Sequence, residues 1–177
     1  MTTAPKLLAA LFGHFNENCE YAVLRNFEGL PEKNNSRDID IIIERRAYKK
    51  QKKALIALIE EHGWKIITYL NSDRVVTWVC GCVDQDSSVE IVQLDFFFNT
   101  SLFGVRLINA NEFLANREFN GKIYDVNKDY EFLDKYMYDR AVGVQYPDKY
   151  SHVKEAVNDS KIVAENLKRV FGENEGL

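Results

Sequence analysis

Cysteine is scarce in this chain. Cys19, Cys80 and Cys82 are the three among 177 residues, too few and too unevenly placed for a secreted disulfide framework. A reducing, cytoplasmic compartment is the expectation. Cys80 and Cys82 stand two apart in a predicted strand, with side chains on the same side and Cα atoms near the limit for bridging, so a disulfide between them would be strained. His14, His62 and His152 occur singly, without the spacing that would complete a zinc site around the thiols. No apolar run approaches the ~20 residues that a bilayer span requires. Leu7, Leu8, Leu11, Phe12 and Phe15 make one helical stripe with only Lys6 as a positive flank, which predicts an ordinary first helix rather than a signal peptide, and a soluble protein without a membrane partner. Positive charge is not in excess. The net charge of -4 gives no broad basic field for nucleic acid. The run Lys49, Lys50, Lys52 and Lys53 precedes Leu55, Leu58 and Ile59 at helical spacing and reads as a solvated helix face. Also lacking are a phosphate-binding Gly-rich loop of the Walker or dinucleotide type, a Ser or Cys elbow partnered by histidine, and internal repeats.

What is present is the composition of a globular protein, 46% hydrophobic and 28% charged, long enough for one domain with a small helical appendage. The pattern predicts a helix over 5–18, a short buried strand Tyr21-Ala22-Val23-Leu24, and then a loop rich in turn formers from Asn26 to Ser36. Asp38-Ile39-Asp40-Ile41-Ile42-Ile43 reads as a strand, followed by a helix over 46–62 with Ala47, Leu55, Leu58 and Ile59 inward and Gly63 as its left-handed cap. A strand from Trp64 to Tyr69, a turn at Asn71-Ser72-Asp73 and a strand from Arg74 to Cys80 suggest an antiparallel pair. A second turn over 84–88 leads into the longest strand, starting at Val89. Short strands at Val105–Ile108 and Lys122–Val126 flank a helix starting near Asn109 or Asn111. Helices over 127–141 and 150–171 complete an α/β (α+β) fold: a mixed sheet with flanking helices, divided as 1–126 and a helical extension, 127–177, packed on it. Trp64, Trp78 and Phe96 to Phe98 read as core rather than as a stacking platform.

Chemistry concentrates in three carboxylates. Alternation puts Asp38 and Asp40 on one face of their strand, roughly 7 Å apart, with Ile39, Ile41 and Ile43 on the other. Like charges at that spacing call for something positive between them. Asp95 stands on the face opposite Val92, Leu94, Phe96 and Phe98. If its strand neighbours that of Asp38, three carboxylates meet, a donor set suited to Mg2+ or Mn2+ and to displacement at phosphorus.

Tyr21-Ala22-Val23-Leu24-Arg25-Asn26, then Ser36-Arg37-Asp38-Ile39-Asp40-Ile41, then Gln93-Leu94-Asp95-Phe96 together resemble the nucleotidyltransferase superfamily typified by DNA polymerase beta. The order of helix, strand, loop, Asp-x-Asp strand, helix and third-Asp strand is also similar, and the likeness covers roughly residues 5 to 98. The resemblance implies that Asp38 and Asp40 bind magnesium and nucleotide phosphates, while Asp95 completes the metal site and helps activate an acceptor hydroxyl. That family usually follows its first strand with Gly-Ser or Gly-Gly, where backbone approaches the triphosphate. Arg25-Asn26 stands here instead, and the Leu-Arg-Asn form with Gly29-Leu30-Pro31 looks like a divergent branch seen among bacterial surface-sugar proteins. Arg25, Asn26, Ser36 and Arg37 are the phosphate-side candidates. The implied activity is transfer of a nucleoside monophosphate from a nucleoside triphosphate to a small-molecule or sugar hydroxyl. Two alternatives are a nucleotide-binding or regulatory module that has lost turnover and a phosphotransferase using the same metal arrangement.

Overall fold

The computed structural model describes residues 4–36, 38–83 and 87–172. Helix α1 (Ala4–Asn18) buries the predicted stripe Leu7, Leu8, Leu11, Phe12 and Phe15. Strand β1 (Tyr21–Val23) follows, and beyond the loop comes β2 (Asp38–Ile43). In α2 (Arg45–Glu61), Leu55 and Ile59 point inward as predicted. Tyr48 and Gln51 join them, while Ala47 and Leu58 pack at the margin. Gly63 ends the helix at φ 77. Its N–H donates to the Glu60 carbonyl (2.9 Å) and that of Trp64 to the Ile59 carbonyl (3.0 Å), the paired bonds of a left-handed helix stop.

Strands β3 (Lys65–Asn71), β4 (Val75–Val83) and β5 (Val89–Phe97) form an antiparallel meander. Beyond it lie β6 (Asn99–Leu102), β7 (Val105–Asn109), α3 (Ala110–Ala115), β8 (Arg117–Phe119) and β9 (Tyr124–Val126). The main sheet has seven strands in the order β3-β4-β5-β2-β1-β9-β8, and β6 and β7 make a separate hairpin. Strand β5 lies parallel to β2, which lies antiparallel to β1, so the sheet is mixed. This is the α/β class predicted.

Strands β6 and β8 extend the sequence reading. The side chain of Asn109 caps α3 by accepting from the Glu112 N–H (3.0 Å), and that of Asn127 caps α4 (Lys128–Ala141) by accepting from the Tyr130 N–H (3.1 Å). The single helix predicted over 150–171 is corrected: a 3-10 turn (Asp148–Tyr150) leads into α5 (Ser151–Glu155), and α6 (Ser160–Phe171) starts afresh. The cause is competition by side-chain acceptors. Asp159 accepts from the N–H groups of Lys161 (2.9 Å) and Ile162 (3.3 Å), and Asp129 Oδ1 accepts from those of Asn158 (2.6 Å) and Asp159 (3.1 Å). A chain whose amides are claimed this way begins a helix instead of continuing one.

Two cores result. One joins α1 and α2 to Ile39, Ile41, Ile43, Trp78, Leu94 and Phe96 on one sheet face, with Cys80 and Cys82 buried there. The other joins α3, α4, α5 and α6 to Ala22, Leu24, Ile42 and Val126 on the opposite face. Among the described residues no helix is long and apolar enough to cross a membrane.

Candidate metal centre

Strand alternation and sheet register together build the site. Asp38 and Asp40 share a face of β2, and the parallel register sets Asp40 directly against Asp95 and Asp38 against Gln93. One carboxylate oxygen from each of Asp38, Asp40 and Asp95 lies within 4.8 Å of the others. Asp40 is 2% exposed and Asp95 8%, so two of these anions are removed from bulk water.

Among the described residues each carboxylate is held by one neighbour. Ser36 Oγ donates to Asp38 Oδ1 (2.9 Å), Arg25 Nε to Asp40 Oδ2 (2.6 Å) and Gln93 Nε2 to Asp95 Oδ2 (2.9 Å). The second oxygens of Asp40 and Asp95, both Oδ1, are buried with no hydrogen-bond partner among the described residues. A buried carboxylate oxygen without a donor is costly. Two such oxygens in one acidic cluster, oriented by outer donors, suit a hard divalent cation such as Mg2+ or Mn2+. The donor set therefore fits the expected group.

Burial pushes the Asp40 carboxyl up to about 6 from its ordinary value; Arg25 opposes the rise, and Asp38, Asp134 and Asp95 add to it. Asp134 is likewise raised by burial against the pull of Arg25, Lys135 and Arg74. Burial works against the charged Arg25 guanidinium, but Asp134 and Asp40 outweigh it and hold its pKa above the usual range.

The three carboxylates line a cavity of about 630 Å³ together with Arg25, Asn26 and Ser36. Arg37 lies outside the described residues. Arg25 is not simply presented to the cavity: besides Asp40, it reaches Asp134 of α4 through a second guanidinium nitrogen at 3.4 Å. Asn26 adopts φ 56. That left-handed backbone is one glycine takes freely and asparagine tolerates better than other residues, so this position combines a glycine-like conformation with an amide side chain.

Sequence reasoning did not find the rest of the cavity wall. Arg74, from the turn before β4, and Asp134, Lys135, Tyr138, Lys149 and Tyr150 belong to it. One signal was available: Asp134 falls among the inward residues Phe132, Leu133 and Met137 of an amphipathic helix, where a carboxylate needs a partner. Gln93, two residues before Asp95 on the same face, is the other residue passed over.

No protein-family model matches the chain, and no curated protein matches it either.

Proposed function

We propose that this chain is a magnesium-dependent nucleotidyltransferase, transferring a nucleoside monophosphate from a nucleoside triphosphate to the hydroxyl of a small-molecule or sugar acceptor. The observation that carries the reading is the meeting of Asp38, Asp40 and Asp95 at one cavity wall with buried, partnerless oxygens on two of them. Asp38 and Asp40 hold Mg2+ or Mn2+, and Asp95 completes the site. The cation, when bound, neutralises charge on the phosphates and makes the acceptor hydroxyl more acidic. Asp95 takes the acceptor proton, the acceptor oxygen bonds to the α-phosphorus, and the bond from that phosphorus to the bridging oxygen breaks to release pyrophosphate. Arg25, Asn26 and Ser36 bind and orient the phosphate side, with Arg37 assigned there from sequence.

Calorimetry tests the first half of this reading. Magnesium and a nucleoside triphosphate should bind with mutual enhancement, and the Asp38→Ala, Asp40→Ala double variant should lose that binding. Unchanged heats in the double variant would refute it. Mass spectrometry of candidate sugar acceptors incubated with the protein, nucleotides and magnesium tests the second half by the added nucleotidyl mass.

A second reading is a nucleotide-binding or regulatory module without turnover. It is favoured by the 2.6 Å contact that commits Arg25 to Asp40 and by the absence of a glycine pair after β1. Coupled binding of nucleotide and magnesium, with no acceptor gaining mass, would select this second reading.

A further inference from the structure

The cavity wall opposite in charge to the carboxylates is built as an alternation of cations and rings. The Arg74 guanidinium lies 5.7 Å from the centre of the Phe97 ring and 5.8 Å from that of Tyr138. Lys135 Nζ lies 6.0 Å from the centre of the Tyr138 ring and 5.5 Å from that of Tyr150, and Lys149 Nζ lies 4.9 Å from the centre of the Tyr150 ring. Phe97, Arg74, Tyr138, Lys135, Tyr150 and Lys149 thus form one continuous series, and all six line the same cavity. Ring faces carry partial negative charge, which keeps the three cations close together without neutralising them.

The cations differ in how much of their charge is already used. Lys135 is paired with Asp139 at 2.8 Å. Arg74 and Lys149 form no ion pair among the described residues, although Arg74 lies near enough to Asp134 to favour its charged form. Arg74 is also fixed in place: its Nη1 donates to the Ser101 carbonyl at 3.0 Å. The turn it leaves is closed by Ser72, whose N–H donates to the Val75 carbonyl (3.0 Å) and whose hydroxyl accepts from the Val75 N–H (3.1 Å). A preorganised guanidinium with open donors suits planar or tetrahedral oxyanions. Several positive charges in one row suit an anion that carries several negative charges in a row.

We propose that Arg74, Lys135 and Lys149 form a polyphosphate-binding wall, taking the terminal phosphates of the ligand whose inner phosphate faces Asp38, Asp40 and Asp95. The inference rests on the nucleotide reading for the identity of that ligand, but the wall's preference for linked phosphates stands on its own residues. It assigns the leaving pyrophosphate to the part of the cavity made by α4, the 3-10 turn and Arg74, and leaves Arg25, Asn26 and Ser36 to the inner phosphate.

The full chain, titrated with inorganic pyrophosphate and with tripolyphosphate in the presence of magnesium, provides the test. Both should bind, and Arg74→Gln and Lys149→Gln should each weaken tripolyphosphate by about tenfold or more, as loss of a charge-assisted contact implies. Mn2+ binding without phosphate, followed by electron paramagnetic resonance, should be unchanged in both variants. Lys149 is exposed, so its variant guards against a folding defect at Arg74. Failure of the wild-type chain to bind either polyphosphate overturns the proposal, as does equal affinity in wild type and both variants. Wall-dependent polyphosphate binding with no added affinity for nucleoside triphosphates would uphold the wall and sink the nucleotide reading. Nucleotidyl transfer whose KM for the triphosphate is unmoved by either variant would do the reverse.

Discussion

On one face of the main sheet Ile39, Ile41, Trp78, Leu94 and Phe96 lie buried beneath α1 and α2. One residue along the same strands, on the other face, stand Asp38, Asp40, Thr77, Gln93 and Asp95. Helices cover this second face only in part. They pack over Ala22, Leu24 and Ile42, whereas toward the β3 edge Ile67, Leu70, Val89 and Ile91 are each about 60% exposed. A period of two therefore separates packing from chemistry. The strands present only apolar side chains to the covered face at these positions, while the partly covered one accommodates carboxylates beside the cavity.

The sharpest way to break this comparison is on the covered face. Trp78 is fully buried between Tyr48 and Phe96, with ring centres 5.9 and 5.0 Å away. Trp78→Ala should cost about 3 to 5 kcal/mol in chemical denaturation, and a loss below about 1 kcal/mol would mean that this face is not a packed core.

The next effect is electrostatic and belongs to the other face. Since burial raises the folded-state pKa of Asp40 to about 6, its neutral form is favoured in the folded chain. The stabilisation this brings is complete below about pH 4 and is lost as pH rises through about 6. In metal-free buffer the wild-type chain should lose stability across that window by on the order of 2 kcal/mol more than Asp40→Asn. Asp125, also raised to about 6 by burial, contributes in the same direction in both proteins and cancels from the difference. Magnesium should raise the wild-type melting temperature more at pH 7.5 than at pH 5, because the ligands must be ionised to bind it. Parallel melting curves for the two proteins across pH would contradict the assigned burial.

A smaller change tests the helices over the second face. Asp159→Ala removes the cap of α6 and should destabilise the chain by about 1 kcal/mol, with the circular dichroism at neutral pH nearly unchanged. The smallest effect is reserved for the open edge: Ile91→Thr should shift unfolding by no more than about 0.5 kcal/mol. A larger loss there would show that something covers this edge.

Much of the covered face was legible because it depends on local period. The stripe of α1, the alternation of β2 and the stop at Gly63 are all written in neighbouring residues. The carboxylate trio was legible in part. Asp38 and Asp40 declare themselves within three residues, but the register of Asp40 against Asp95 depends on a parallel pairing across the intervening α2 and meander, which no local pattern fixes. The wall carrying Arg74, Lys135 and Lys149 was not legible at all. Its members are ordinary surface types, and only the docking of α4 and the 3-10 turn draws them together. Val153, Val157, Ile162 and Val163 share one helical face only loosely, a weak signal of the break that Asp129 and Asp159 impose.

Asp129 has a wider consequence. Through a single oxygen it fastens the first turn of α4 to the junction after α5, working as a buckle between stretches about thirty positions apart in the chain. Tyr150 and Lys149 hang from one strap of that buckle, Lys135 and Tyr138 from the other. Undoing it would leave every cavity side chain chemically intact while slackening the frame that keeps the Tyr150 ring beside Lys135.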